Sequence, residues 1–179
     1  MSLRLTFILG GARSGKSRLA LRLAQSQSTS KKLFLATALP QDEEMRQRIE
    51  NHQLARDSSW QTLEQPYYVA QTLQEHAVHS KSIIVVDCLT LWLSNLMCGN
   101  AGPMLSSDEV EKKIDELKTV FSQLNGQIFL VSNEVGLGLV PETSLGRNFR
   151  DLQGKLNQSI AQVSNEFLFV IAGIAQKIK

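Results

Sequence analysis

The residues Gly10-Gly11-Ala12-Arg13-Ser14-Gly15-Lys16-Ser17 satisfy the pattern GxxxxGK[ST], a spacing with a definite chemistry. Glycines let successive backbone N–H groups curl around a phosphate, and a helix that follows turns its positive end to the same anion. Lys16 can neutralise β and γ oxygens, and the Ser17 hydroxyl can hold Mg2+. A glycine turn that merely joins strand to helix is the plain alternative, and the order strand, loop, Lys-Ser, helix speaks against it. A nucleoside triphosphate is therefore expected here. Mg2+ bridging two phosphates also needs a carboxylate, usually at the end of a neighbouring apolar strand. Ile83-Ile84-Val85-Val86-Asp87 supplies one. Asp is also a common N-cap, and a helix-like run starts at Leu89, so Asp87 can serve both ends.

Between these motifs lies a helical stretch over 41–56 with acidic residues at its start, as suits a helix N-terminus. Arg48, His52 and Arg56 are spaced by four and so share one stripe. A lone helical His is more often a surface or core residue than a catalyst. Two flanking arginines change that balance, because they disfavour imidazolium, keep the ring nucleophilic and draw in polyphosphate. His76 and His79, with only Glu75 beside them, read as solvated.

The elements that must position these groups follow from the hydrophobic pattern. Apolar runs of strand length at 5–9, 33–37, 83–87, 128–132 and 167–172 alternate with helical periodicities. That alternation marks an α/β fold: a mostly parallel central sheet with helices on both faces. A further strand at 61–64 is only weakly signalled. Leu19 and Leu23 belong to a helix directly after the glycine loop, and Met45, Ile49 and His52 share a face of the next. Ser106 with Glu109 forms a capping box ahead of the stripe Val110, Ile114, Leu117, Phe121 and Leu124. The spacing of Leu145, Phe149, Leu152, Leu156, Ile160 and Val163 predicts a last helix that delivers the chain to the final strand.

With 179 residues, 42% of them apolar and 20% charged, the chain suits a single domain over 1–179 and can bury enough surface to order itself. A net charge of +2 advertises no broad basic face for nucleic acid. Cys88 and Cys98 lie in apolar surroundings without zinc-ligand spacing, and are expected as reduced thiols of a cytoplasmic protein. No window carries the roughly 18 apolar residues that a bilayer span needs.

Taken together, these motifs resemble the bifunctional adenosylcobinamide kinase / adenosylcobinamide-phosphate guanylyltransferase family. The residues that carry the resemblance run through nearly the whole chain. They are the stretch 10–18 (GGARSGKSR), Ala36-Thr37-Ala38, Asp42 to Met45 with Arg48, Ile49, His52 and Arg56, Trp60, Asp87-Cys88-Leu89-Thr90, and Ser94-Asn95-Leu96. They continue with Ser132-Asn133-Glu134-Val135-Gly136, Val140-Pro141, Phe149-Arg150-Asp151, Gly154, Leu156-Asn157-Gln158 and Ala172-Gly173.

The resemblance implies a RecA-like P-loop NTPase fold, a homotrimer and two reactions on one corrinoid. In the first, ATP or GTP phosphorylates the aminopropanol hydroxyl of adenosylcobinamide. In the second, GMP passes from GTP to that phosphate through a histidine–GMP phosphoramidate, at the position matching His52. Nucleotide contacts carry over to Gly10, Gly11, Ala12, Arg13, Ser14, Gly15, Lys16 and Ser17, to Ala36, Thr37 and Ala38, to Gln53, Leu54, Ala55 and Arg56, and to Glu64 and Asp87. A carboxylate such as Glu64 can accept from the guanine N1–H and amino group. Gln53 stands where an Arg commonly follows the histidine, and Ala175-Gln176 stand where the family often has Pro and Leu. Asn133, Glu134, Arg150, Asp151, Asn157 and Gln158 are candidates for the corrinoid side of the cleft or for a subunit contact.

Two rival functions stay open on sequence grounds. One is a P-loop small-molecule kinase without guanylyl transfer, in which His52 is structural. The other is a non-catalytic nucleotide-switch module acting on a protein or DNA partner.

Overall fold

The computed structural model describes residues 3–27, 32–54, 56–77 and 82–179, with the side chains of Arg48, Asn51, His52 and Leu54 outside that description. In chain order the elements are β1 (Arg4–Gly10), α1 (Lys16–Gln25), β2 (Lys32–Ala36), α2 (Glu43–Leu54), β3 (Trp60–Glu64), α3 (Val69–His76) and β4 (Ile83–Asp87). There follow α4 (Leu89–Cys98), α5 (Ser107–Val120), β5 (Gln127–Asn133), α6 (Ser144–Val163), β6 (Glu166–Ile171) and β7 (Ile174–Lys177).

The strands form one sheet in the order β3-β2-β4-β5-β1-β6-β7. Every neighbouring pair is parallel except β6 with β7. The central strands β1, β4 and β5 are buried along nearly their whole length. Uninterrupted apolar runs therefore read correctly as strands covered on both faces.

The two faces carry unequal cores. On one, Leu5, Phe7, Leu35, Ile84, Val86, Ile128 and Leu130 pack under α3 to α6, which contribute Leu73, Trp92, Leu96, Ile114, Leu117, Leu152, Leu156 and Ile160. On the other, Ile8, Phe34, Val85, Phe129 and Val131 pack under Leu19, Ala20 and Ala24 of α1. Each fully buried Leu, Ile or Phe contributes about 1.5–3 kcal/mol of transfer free energy, which is why the stripes dictate where the helices lie. The Ser106 capping box is present, with its hydroxyl accepting from the Glu109 N–H and the Glu109 carboxylate from the Ser106 N–H. None of the described side chains of α2 is buried. Its start is fixed locally, by Asp42 Oδ1 accepting from the Met45 N–H at 2.7 Å.

Several expectations need correction. The last helix delivers the chain to β6, the strand expected at 167–172, but that strand is not the last: β7 follows, antiparallel and exposed throughout, so no burial pattern announced it. The weak signal at 61–64 is the edge strand β3, in which only Trp60 is buried. Helix α3 is short and escaped the periodicity reading. Helix α2 ends at Leu54, so Arg56 lies beyond the helix that carries Arg48 and His52. The N-cap of α4 is Cys88, which relieves Asp87 of that role. Cys88 is buried, but Cys98 is exposed. His76 is half-buried, and His79 lies outside the described residues.

Candidate functional site

The parallel strands end together at one edge of the sheet. There β1 and β5 are neighbours, yet the chain leaves β1 through α1 towards β2 and leaves β5 through α6 towards β6, on opposite sides. Loops that diverge in this way open a crevice at the carboxyl ends of the strands. The glycine loop, residues 10–17, lies at this switch point, where Gly10 pairs in register with Asn133 on one side and Val170 on the other.

The loop needs its glycines for different reasons. A Cβ on Gly10 would lie 2.5 Å from the Val170 carbonyl oxygen and 2.7 Å from Ser14 Oγ, so only a bare backbone fits. Gly15 has φ of 96°, in the left-handed region that glycine enters without cost. The loop is braced from both flanks: the Glu134 N–H donates to the Gly10 carbonyl at 3.1 Å and the Gly173 N–H to the Ser14 carbonyl at 2.8 Å. The β6–β7 turn missed by the sequence is thus a support of the loop.

Two features make this cradle suited to phosphate. Ser14 Oγ is buried with no hydrogen-bond partner among the described residues, a hydroxyl in want of an acceptor. Lys16, 8% exposed, folds back so that Nζ donates to the Gly11 carbonyl at 3.0 Å. Burial pushes its ammonium pKa down, and the Asp87 carboxylate is among the groups opposing that shift. A buried cation with one neutral acceptor gains from an incoming polyanion.

Asp87 ends β4, half-buried, level with Ala36 of β2, which in turn pairs with Glu64 of β3. Ser17 is half-buried on the first turn of α1. Together Ser17 and Asp87 offer the oxygen donors that a hard divalent cation prefers. Thr37 is buried and holds the residue after Asp87: its hydroxyl donates to the Cys88 carbonyl and accepts from the Cys88 N–H, both at 2.7 Å. Asn95 closes the same corner, its Nδ2 donating to the carbonyls of Thr37 at 2.9 Å and Pro66 at 3.0 Å. The Cys88 thiol, pushed up to about 12 chiefly by burial, is a neutral packing group.

Arg56 stacks its guanidinium over the Phe34 ring, 4.0 Å from the centroid. Burial lowers its pKa and the Asp87 carboxylate acts against that, so the two groups share one region. Its buried Nη1 has no hydrogen-bond partner among the described residues. The other expected contacts are less gathered. Ala38 is half-buried, and Glu64 and Gln53 are exposed. Ala55 and the side chains of His52 and Leu54 lie outside the described residues; the backbone of residue 52 is in the last turn of α2.

A buried polar cluster beneath this edge went unread in the sequence. Gln153, 0% exposed, donates from Nε2 to Ser132 Oγ at 3.0 Å and to Asn157 Oδ1 at 2.9 Å. Ser132 Oγ donates to Asn157 Oδ1 at 2.8 Å. Asn157, expected on an accessible cleft wall or subunit surface, is instead buried in the cluster. The available signal was the i, i+4 spacing of two amides along the apolar stripe of α6.

Comparison with known proteins agrees with this geometry. Two solved structures share the fold at low sequence identity. A prototypical ATPase from the type III secretion system of pathogenic bacteria aligns with TM-score 0.55 at 8% identity, over 97% of this chain and 56% of its own. A Pyrococcus horikoshii protein aligns with TM-score 0.57 at 10% identity, over 98% of this chain and 86% of its own. Among curated proteins, the bifunctional adenosylcobalamin biosynthesis protein CobP of Pseudomonas aeruginosa is 42% identical over 172 residues, covering 96% of this chain and 95% of that protein. The corresponding protein CobU of Escherichia coli is 34% identical over 181 residues, covering 96% and 98%. The sequence model described as cobinamide kinase / cobinamide phosphate guanyltransferase matches residues 6–178. With its phosphate loop, strand-end carboxylate and near full-length relatives, the chain belongs to the cobinamide kinase / cobinamide phosphate guanyltransferase family.

Proposed function

We propose that this chain, as a single catalytic domain over 1–179, phosphorylates the aminopropanol hydroxyl of adenosylcobinamide and then transfers GMP to the resulting phosphate, giving adenosyl-GDP-cobinamide. Besides family membership, the observation that carries the reading is the stacking of Arg56 on Phe34 of β2, which pairs with Val85 on the strand that ends in Asp87. Arg56 follows His52 by four residues, so the chain that bears the histidine returns to the region of the phosphate loop.

In the first step the terminal phosphoryl group of ATP or GTP moves to the substrate hydroxyl. The loop N–H groups and Lys16 hold the phosphates and take up charge that develops on the oxygens. Mg2+, when bound, neutralises phosphate charge and would be held by Ser17 and Asp87. In the second step a neutral His52 ring nitrogen attacks the α-phosphorus of GTP, pyrophosphate leaves, and the phosphoramidate bond then breaks as the cobinamide phosphate oxygen takes the GMP. Splitting one displacement into two easier ones is the advantage of such a nucleophile. Arg56 would stabilise the transferring group, and Glu64 and Ala36 to Ala38 would contact the nucleoside.

Lys16 serves a γ-phosphate, whereas His52 must reach an α-phosphorus, so one nucleotide pose does not serve both steps. The exposure of α2 supports its movement between them. Exposed Leu137, Leu139 and Val140, with Leu139 at 96%, support a homotrimer in which this loop is covered. Location in the cytoplasm fits two free cysteines; among the described residues no helix is long and apolar enough to cross a membrane.

Incubation with α-labelled GTP tests the transferase half. A base-stable, acid-labile protein label that disappears in His52→Ala is the expected result. No label on the wild type, or label retained in His52→Ala, would favour a kinase without guanylyl transfer. Nucleotide turnover independent of cobinamide would favour a switch module.

A further inference from the structure

Arg18 has no role in the reading above. It follows Ser17 on the first turn of α1, where a cation meets the positive end of the helix and no acidic side chain on that turn offsets it. Arg18 is exposed, and among the described residues its side chain makes no hydrogen bond or ion pair. It nevertheless has a definite place. Nη2 lies 4.0 Å from where a Cβ would stand on Gly15 and 4.0 Å from where one would stand on Gly173. The two glycines are themselves in contact, since a Cβ on Gly15 would be 3.4 Å from Gly173 Cα. The guanidinium therefore sits at the corner where the β6–β7 turn braces the phosphate loop, the Gly173 N–H donating to the Ser14 carbonyl.

Strand order fixes which end of a nucleotide meets this corner. Strand β4, with Asp87 at its tip, lies on one side of β1 beyond β5, and β6 is the neighbour of β1 on the other side. A triphosphate whose β and γ oxygens go to Lys16, and to a cation on Ser17 and Asp87, points its terminal phosphate to the β4 side. Its α-phosphate and nucleoside then extend the other way, over the β6–β7 turn. Glu64 ends β3, at the sheet edge beyond β4 and β2, so a base in this pose lies far from it. The base meets Arg18 instead, beside the exposed turn residues Ala172 and Gly173, which carry no polar side chain to read its edge. A guanidinium is planar and weakly hydrated, and it stacks on flat π-faces. Every base has such a face.

We propose that Arg18 is the base platform of the kinase donor. Its guanidinium stacks on the purine of ATP or GTP and holds the donor with its terminal phosphate towards Asp87, whereas the guanylyl-transfer pose turns the base to Glu64. Such a platform reads the face of a base and not its edge, so adenine and guanine serve alike in the first step. The inference deepens the reading of two nucleotide poses and rests on the kinase step for its donor.

The test compares wild type with Arg18→Ala, Arg18→Lys and Arg18→Tyr. It reads the affinity of ATP and of inorganic tripolyphosphate by direct titration, kinase kcat and KM for ATP and GTP with cobinamide, and the KM for GTP in α-label transfer to the protein. Arg18→Ala should weaken ATP about tenfold and raise the kinase KM for ATP and GTP by similar factors, with kcat within about threefold of wild type. Tripolyphosphate has the phosphates and no base, so its affinity should stay within about threefold, as should the labelling KM. Arg18→Lys keeps the charge without the planar face and should behave as Arg18→Ala. Arg18→Tyr restores a flat face without the charge and should recover most of the ATP affinity. Equal losses for ATP and tripolyphosphate, or rescue by Lys, would make Arg18 a phosphate cation and overturn the platform. ATP affinity within about threefold of wild type in both the Ala and Lys variants overturns it too. A labelling KM that rises in step with the kinase KM overturns the separation of the two poses. Wild type that binds ATP without cobinamide-dependent turnover would remove the kinase reading, while the titrations still decide the stacking.

Discussion

A single hydroxyl of Thr37 satisfies both backbone polar groups of Cys88, donating to its carbonyl and accepting from its N–H at 2.7 Å each. The tip of β2 is thereby locked to the residue that follows Asp87. Thr37→Val keeps the shape and takes away the acceptor of the buried Cys88 N–H, while the Cys88 carbonyl keeps the Trp92 N–H at 3.2 Å. It should cost about 1–3 kcal/mol, the penalty of one orphaned buried group. Thr37→Ser should recover most of the loss. Urea denaturation of the two variants, compared with wild type, checks this.

Gly10 and Gly11 should respond differently to alanine. A Cβ at Gly10 meets the Val170 carbonyl oxygen and Ser14 Oγ, whereas at Gly11 nothing lies within 4 Å. Gly10→Ala should destabilise by about 1–3 kcal/mol through overpacking against backbone, and Gly11→Ala should change thermal stability little. Equal melting temperatures for the two variants would contradict the close approach of β1 and β6.

The capping box of α5 predicts a pH-dependent stability difference. Hydrogen bonds from the Ser106 hydroxyl and N–H hold the Glu109 carboxyl below its usual pKa. A depressed folded-state pKa contributes stability above the unfolded value and loses it as pH falls through the folded value. Ser106→Ala should cost about 1 kcal/mol near neutral pH. The gap to wild type should narrow in acid, as Glu109 protonates in both proteins. Chemical denaturation at several pH values measures it.

The two cysteines should be distinguishable by alkylation. Cys98 is exposed, and Cys88 is buried with its thiol pushed up to about 12. Since the thiolate is the reacting species, a maleimide should modify Cys98 alone in the native protein and both after denaturation. Mass spectrometry of the adducts gives the answer.

Much of the frame was legible because its signals are local. The phosphate loop and Asp87 are each written in one short stretch, and β1, β4 and β5 are buried on both faces, so their apolar runs needed no partner to be recognised. The Ser106 box is a contact between residues three apart. Elements outside the core were harder. Strand β7 is exposed throughout, and β3 buries only Trp60, so neither carries a pattern. Arg56 followed the spacing of Arg48 and His52, but the helix stops at Leu54 and the side chain finds the Phe34 ring instead.

By itself the sequence determined which groups can handle phosphate and that they must hang from a buried parallel sheet, because loop chemistry and core hydrophobicity act over a few neighbouring residues. Only the tertiary structure decided which distant segments meet. The Gly173 N–H bracing Ser14, Thr37 closing on Cys88, and Gln153 reaching Ser132 beneath Asn133 join residues 21 to 159 positions apart. Such contacts depend on strand order and register, which arise from the packing of the whole chain and leave no trace in any single stretch of it.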